Sequence, residues 1–292
     1  MNRRSISLLV SLLALVVVIF GSVYFLQVTR DIEQQEDALV VSAQIEPQEA
    51  EQSIADIPAE KPFFADITAV QQEIDNWAAS LPQGSSASVV VADTDGTVLA
   101  EYNKDESYFA ASIYKLYVAY AGYQQVDATV VEPEELYVNG NTRIECLDLM
   151  IRDSDSPCAE KLWNELGKQE LTDQLIGYGI KDSSMTNITT TASDAAIMLG
   201  RIVRGQGLEL PSKTAFLESM KEQIYTRALR TGFSDAVTVY SKVGFRDLDE
   251  YHDVGIIELA NGRQAILSVM TNNVGTSRIA DLASSLELLI EK

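Results

Sequence analysis

The chain has 292 residues, with 43 acidic side chains against 22 basic ones and a formal net charge of −21. A polyanion repels phosphate backbones, which argues against a nucleic-acid partner. The single histidine, His252, excludes multi-histidine metal sites and argues against a Ser-His-Asp triad, and two cysteines exclude a four-cysteine zinc site; no metal or cofactor is expected.

Residues 1–5 carry Arg3 and Arg4, and residues 6–26 follow with no charge. About 20 apolar residues span a hydrocarbon core, and basic residues ahead of them keep the N-terminus in the cytoplasm. A single-pass anchor with an extracytoplasmic remainder is therefore expected. The alternative is a cleaved signal peptide, but the apolar stretch is long for one, and Val23-Tyr24-Phe25 after Gly21-Ser22 makes a poor cleavage site. Residues 27–62 read as a stalk: from Asp31 to Pro62 there are nine acidic residues, one lysine and no aromatics. Such a segment buries too little apolar surface to offset its ordering entropy. Residues 63–292 are long enough for one domain.

Within that domain, Ile67, Val70, Ile74, Trp77 and Leu81 recur at helical spacing and predict a helix over Ile67–Leu81. Strand-like runs at Ser88–Ala92 and Thr97–Tyr102 flank Asp93-Thr94-Asp95-Gly96 and read as a hairpin. From about Tyr108 to Asp235 the pattern is mostly helical. Strand character returns at Val237–Lys242, Val254–Leu259 and Ala265–Thr271, the last two joined through Asn261-Gly262. A final helix runs from Gly275 to Ile290. The order predicts an α+β fold: a five-stranded antiparallel sheet made from both chain ends, terminal helices on one face and an inserted all-helical subdomain on the other. A site is expected in the cleft between sheet and block.

Three short stretches carry chemistry. In Ala110-Ala111-Ser112-Ile113-Tyr114-Lys115, Ser112 opens a helix that is apolar nearly all round, hence buried, and Lys115 lies one turn on along the same face. Free N–H groups at a helix start stabilise an oxyanion. A buried lysine resists charge, so its pKa falls towards that of a general base. Together they form a nucleophile–base pair that needs no histidine. The competing reading makes Ser112 an N-cap and lets Lys115 reach water along its methylene stem. The second stretch is Ser154-Asp155-Ser156 in a helix–helix turn, where a cap is the usual role. The third is Lys242-Val243-Gly244-Phe245, at the end of a strand that otherwise reads as buried.

S-x-x-K, then S-D-x about forty residues on, then K-x-G on a strand resembles the ordered signature of the serine β-lactamase and penicillin-binding protein superfamily, most closely the class A β-lactamase-type serine hydrolases. The stretches at 187–192, 197–205, 227–232 and 251–255 resemble further parts of that fold, and the likeness covers nearly all of 63–292. The resemblance implies that Ser112 is the acylated nucleophile and Lys115 its base. It implies that Ser154 relays a proton to the leaving nitrogen, that Lys242 supplies positive potential, and that the N–H groups of Ser112 and Phe245 form the oxyanion hole. Ser156, Val243, Gly244 and Phe245 would line the substrate. The implied partners are β-lactams or peptidoglycan stem peptides ending in D-Ala-D-Ala.

The sequence departs from that pattern in three places. Ser156 stands where the family usually has Asn, and a hydroxyl cannot replace both groups of an amide. Val243 replaces the usual Thr. The loop with E-x-x-L-N is missing: Thr189 follows Ser154 by only 35 positions. Glu165 and Glu170 come too early and read as helix-surface charges, which leaves Asp182 as the one acid near the right place. That glutamate is the accepted deacylation base, so the expectation is a peptidase-like enzyme or slow β-lactamase, with a weak or inactive cell-wall binding module as the alternative. Cys146 and Cys158 flank the Ser-Asp turn; outside the cytoplasm a disulfide is expected, with two buried thiols as the alternative. His252 is expected to be structural, and Asp253 to pair with Arg246.

Overall fold

The computed structural model describes residues 61–246 and 249–291. The expected anchor at 6–26 and all but the last two residues of the expected stalk lie outside them. Among the described residues, no helix is long and apolar enough to cross a membrane.

Helix α1, Ile67–Ala79, starts where the Asp66 carboxylate accepts from the N–H groups of Thr68 and Ala69, at 2.8 and 3.2 Å. It buries Val70, Ile74 and Trp77, each contributing about 1.5–3 kcal/mol by leaving water. Strands β1 (Ser86–Asp93) and β2 (Val98–Tyr102) follow as the expected hairpin. At the other end of the chain lie β7 (Val237–Arg246), β8 (Glu250–Leu259), β9 (Gln264–Asn272) and helix α9 (Thr276–Glu287). The sheet order is β2-β1-β9-β8-β7, antiparallel throughout, so β9 from the end of the domain pairs with β1 from its start. The hairpin expected at Asn261-Gly262 is present, with Gly262 at φ 83° and Leu259 N–H bonded to Arg263 O at 2.9 Å.

Strand alternation divides the core. Val90, Ala92, Val254, Ile256 and Ile266 face the helical block. Val89, Val91, Ile257, Leu267 and Val269 face the other way, against α1 and α9. This is the expected layering of terminal helices, sheet and inserted block.

The block is not all helical, which corrects the sequence expectation. It holds α2 (Tyr114–Asp127), α3 (Arg143–Arg152), α4 (Ser156–Leu166), α5 (Lys168–Gly177), α6 (Ala192–Arg204) and α7 (Leu210–Lys221). It also holds two short ribbons: β3 (Tyr108–Phe109) with β6 (Thr189–Thr190), and β4 (Leu136–Val138) with β5 (Asn141–Thr142). Two- and three-residue strands are too short to show alternation. A four-residue helix, α8 (Leu229–Gly232), leads into β7.

His252 is structural, as expected. It is fully buried; its Nδ1 accepts from Thr271 N–H at 3.1 Å, and Nε2 lies 2.9 Å from Phe109 O. An accepting Nδ1 places the proton on Nε2, and burial lowers the imidazole pKa to about 4. Asp253 does not pair with Arg246. Arg246 pairs with Glu250 at 2.7 Å, while the Asp253 side chain is buried and accepts from Leu229 N–H at 2.9 Å. The cause is strand parity: Asp253 sits opposite Val243 and Arg246 opposite Glu250.

Candidate active site

Ser112 lies in a single 3₁₀ turn, Ala111–Ile113, immediately before α2. Ala111 has φ 43°, a left-handed conformation that costs a residue with a Cβ about 1–3 kcal/mol. The turn is held from the sheet side. A Cβ on Gly244 would meet Ala110 O at 2.8 Å and Ile113 Cγ1 at 2.9 Å, so the glycine of the Lys-x-Gly stretch is what allows β7 to lie against the serine turn. Helix α2 is buried on all sides from Tyr114 to Tyr123, which removes Lys115 from water. Lys115 does not snorkel to the surface; it is 1% exposed.

The Ser154 turn joins α3 to α4. Asp155 caps α4 by accepting from Cys158 N–H at 2.7 Å, as expected of an acid there, and Ser154 itself adopts φ 59°. Cys146 on α3 is disulfide-bonded to Cys158 on α4 across twelve positions. Closing a loop of that length removes unfolded-state entropy worth about 3 kcal/mol. Reduction is therefore expected to lower stability by about that amount, read as a fall in the denaturation midpoint with reductant. An unchanged midpoint would show that the turn holds without the bond.

Both lysines reach this turn. Lys115 Nζ donates to Ser154 O at 2.5 Å, Ser154 Oγ at 3.3 Å and Ser156 Oγ at 3.1 Å. Lys242 Nζ donates to Ser154 Oγ at 3.0 Å, Val243 O at 2.8 Å and Gln223 Oε1 at 3.3 Å. Four of the expected residues from three separate stretches, Lys115, Ser154, Ser156 and Lys242, thus form one hydrogen-bonded cluster. Among the described contacts Ser112 Oγ is not one of Lys115's partners. Burial brings the Lys115 ammonium down to about 8, against the opposing charges of Asp155 and Glu160. Burial also pushes Lys242 well below the ordinary lysine range; the Lys115 charge adds to this and Asp253 opposes it. Two amines on one hydroxyl titrate as a unit, and the pair gives up its first proton far more easily than free lysines do.

Strand β7 is the last of the sheet, so among the described residues one edge has no neighbouring strand. Ser241 O and Val243 N face that edge, since both bond the Gln223 side chain. Backbone groups alternate sides along a strand, so Phe245 N–H belongs to the same free row, beside the Ser112 turn. Phe245 is 44% exposed, and its ring packs against Tyr225 and Tyr251. These residues wall a cavity of about 570 Å³ that also touches Arg227 and Glu250. Val243 is buried.

Among the described contacts, none of the acids considered for deacylation bonds Lys115 or Lys242. Glu165 is bound to Arg143, Lys161 and Tyr137. Glu170 lies in the first turn of α5. Asp182 is exposed, in a loop whose N–H groups at 181 and 182 bond the Asp194 carboxylate. Among the described residues, no cluster of three or more His, Cys, Asp or Glu could hold a metal ion. Sequence reasoning missed Gln223 and the burial of Asp253. Gln223 follows Lys221-Glu222 and reads as an ordinary surface residue, and nothing local to Asp253, between His252 and Val254, marks its side chain as buried.

The beta-lactamase enzyme family matches residues 69–287. Comparison with curated proteins returns no match. Among solved structures, PBP-A is 20% identical and superposes with a TM-score of 0.68 over 78% of this chain and 98% of its own. A PBP-A mutant in an acyl-enzyme complex with penicillin-G is 21% identical, with a TM-score of 0.68 over the same shares, 78% and 98%. The putative class A beta-lactamase PenP from Rhodopseudomonas palustris is 18% identical, with a TM-score of 0.69 over 75% of this chain and 98% of that one. At such identities the structures show a shared fold; the match over 69–287 shows descent. The chain belongs to the beta-lactamase enzyme family, and it is a serine hydrolase whose sheet and helical block meet at the turn that carries Ser112.

Proposed function

We propose that the protein forms an acyl-enzyme on Ser112 with β-lactams or D-Ala-D-Ala-type peptidoglycan peptides, from a membrane-anchored, extracytoplasmic position. The observation that carries this reading is the convergence of Lys115 and Lys242 on Ser154 Oγ, at 3.3 and 3.0 Å, beside the Ser112 turn. Unprotonated Lys115 takes the hydroxyl proton of Ser112 as Oγ attacks the substrate carbonyl. The tetrahedral oxyanion sits between the N–H groups of Ser112 and Phe245. As the carbon–nitrogen bond breaks, the proton passes from Lys115 through Ser154 to the leaving nitrogen. Lys242 supplies positive potential towards the relay and the substrate carboxylate, and Ser156, whose Oγ accepts from Lys115 Nζ at 3.1 Å, contacts the substrate.

Hydrolysis of the ester is slow on this reading, because among the described contacts none of Glu165, Glu170 and Asp182 bonds Lys115 or Lys242. The PBP-A mutant with penicillin-G is a relative in which an acyl-enzyme has been seen. Mass spectrometry of the protein over time after β-lactam exposure tests the proposal. One covalent adduct per chain that persists is the expected result. Absence of an adduct overturns the mechanism, and rapid loss of the adduct overturns slow deacylation.

A second reading, a catalytically weak or inactive cell-wall binding module, draws on Lys115 bonding three groups of the Ser154 turn instead of Ser112 Oγ. Turnover of a chromogenic β-lactam or a stem peptide removes it.

A further inference from the structure

Gln223 belongs to none of the three motif stretches, yet its side chain bonds the Lys242 stretch through three groups. It follows α7 and is 1% exposed. Its Nε2 donates to Ser241 O, and its Oε1 accepts from Val243 N–H at 3.0 Å and from Lys242 Nζ at 3.3 Å. The side-chain amide thus pairs with the free edge of β7 as a neighbouring strand would. This pairing fixes the amide orientation, because a flipped amide would set N–H against N–H and C=O against C=O. The next residue ties the same segment to the other half of the site: Ile224 N–H donates to Arg152 O at 3.1 Å, two residues before Ser154. One stretch of backbone therefore sets the spacing between the Lys242 strand and the Ser154 turn.

We infer that Gln223 is a positioning residue that keeps Lys242 as the charged member of the lysine pair and so leaves Lys115 as the member that surrenders its proton. The inference rests on the proposed acyl-transfer function for its consequence, and on acceptor chemistry for its content. A carbonyl oxygen only accepts, whereas a hydroxyl can accept or donate. Lys242 faces two carbonyl oxygens, Gln223 Oε1 and Val243 O, and one hydroxyl, Ser154 Oγ. That set matches the three donors of an ammonium. Lys115 faces one carbonyl oxygen, Ser154 O, and two hydroxyls, Ser154 Oγ and Ser156 Oγ. A neutral amine fits that set, since a hydroxyl can donate to its lone pair. Without Gln223 Oε1 each lysine would face one carbonyl oxygen, and the asymmetry would be gone.

The surrounding charges act in both directions. Asp253 on β8 favours a charge on Lys242, and Lys115 on α2 opposes it. Arg230 lies close enough to Asp253 to interact with that carboxylate, while Asp155 and Glu160, at the start of α4, act on Lys115. Burial works against the charge on either lysine, and at Lys242 the Lys115 charge adds to it, so desolvation and repulsion alone would strip Lys242 first; the carbonyl acceptors around Lys242 are what reverse that order.

The experiment compares wild type with Gln223→Met, which removes both amide groups at similar volume, and Gln223→Glu, which keeps an acceptor beside Lys242. Lysine Cε signals are followed by NMR across pH in the intact protein, which reads each ammonium whether or not the protein acylates. The rate of labelled-penicillin acylation is measured over the same range, and circular dichroism confirms folding. Lys242 is expected to hold its proton to higher pH than Lys115 in wild type. In Gln223→Met that order is lost and acylation slows by about tenfold or more. In Gln223→Glu the order returns, with Lys242 titrating higher than in wild type and acylation partly rescued. Deprotonation of Lys242 before Lys115 in wild type overturns the inference. So does a folded Gln223→Met protein with unchanged order and rate, or loss of rate in both variants with no change in either titration. If the NMR order is as expected and no variant, nor wild type, acylates, the acyl-transfer reading fails while the assignment of the proton stands.

Discussion

Ser112→Ala is expected to abolish covalent labelling by a penicillin, leaving no adduct by mass spectrometry at any pH. The hydroxyl is the only atom lost, and no side-chain hydrogen bond of Ser112 is found among the described contacts. The 3₁₀ turn at Ala111–Ile113 is held by its own backbone, by Gly244 and by the burial of Ile113. The substitution should therefore change stability by less than about 0.5 kcal/mol. A folded, unlabelled variant beside a labelled wild type is the result that supports the nucleophile. Equal labelling of the two would place the acylated group elsewhere and end the mechanism.

Lys115→Met carries the second large effect. Loss of a general base typically costs about a hundred- to ten-thousand-fold, and acylation should fall within that range while the apolar packing of α2 is kept. The pH dependence gives the test its sharper form. Only the unprotonated amine can accept the Ser112 proton. Because burial brings the Lys115 ammonium to about 8, the wild-type acylation rate should rise with pH up to about that value and then level off. Below it the rate should fall by about tenfold per pH unit as the amine fills with protons. In Lys115→Met this limb should vanish, leaving a slow rate with little dependence on pH over the same span. A variant that keeps the limb would assign it to Lys242 or another group. The apparent value belongs to the coupled lysine pair; with Lys242 charged as inferred above, Lys242→Met removes a neighbouring cation and should shift the limb upward, and an unmoved limb would count against that charge.

The readable parts of the fold are those set by near neighbours in the chain. Apolar spacing placed α1, although the helix ends at Ala79 where Leu81 was expected. The Asn261-Gly262 turn fixed the β8–β9 hairpin, because its positive φ suits a glycine. Strand β7 was expected to stop at Lys242 but runs to Arg246. A lysine and a glycine interrupt the strand pattern, and nothing local shows that the lysine is fully buried or that the glycine lies against the serine turn. The two ribbons of the helical block escaped notice because each strand is only two or three residues long.

For the site, the order S-x-x-K, S-D-x and K-x-G pointed to Ser112, Lys115, Ser154 and Lys242, and the expected extracytoplasmic location, with no other cysteine to compete, pointed to the bond between Cys146 and Cys158. Which groups Lys115 touches was not readable. One helical turn of separation suggests Ser112, whereas the ammonium bonds the Ser154 turn nearly forty residues on. The left-handed conformations of Ala111 and Ser154 were equally hidden, since neither is a glycine and only tertiary packing holds such residues there.

The sequence alone determined the composition of the layers, the candidate reactive groups and their order along the chain, because apolar periodicity and functional-group chemistry are properties of single residues and their near neighbours. The tertiary structure decided which polar groups share a hydrogen bond. Gln223 against the edge of β7, Asp253 beneath α8 and two lysine nitrogens on one serine oxygen are contacts between segments far apart in the chain. Their energies depend on removal from water and on distances fixed only when sheet and helical block close together.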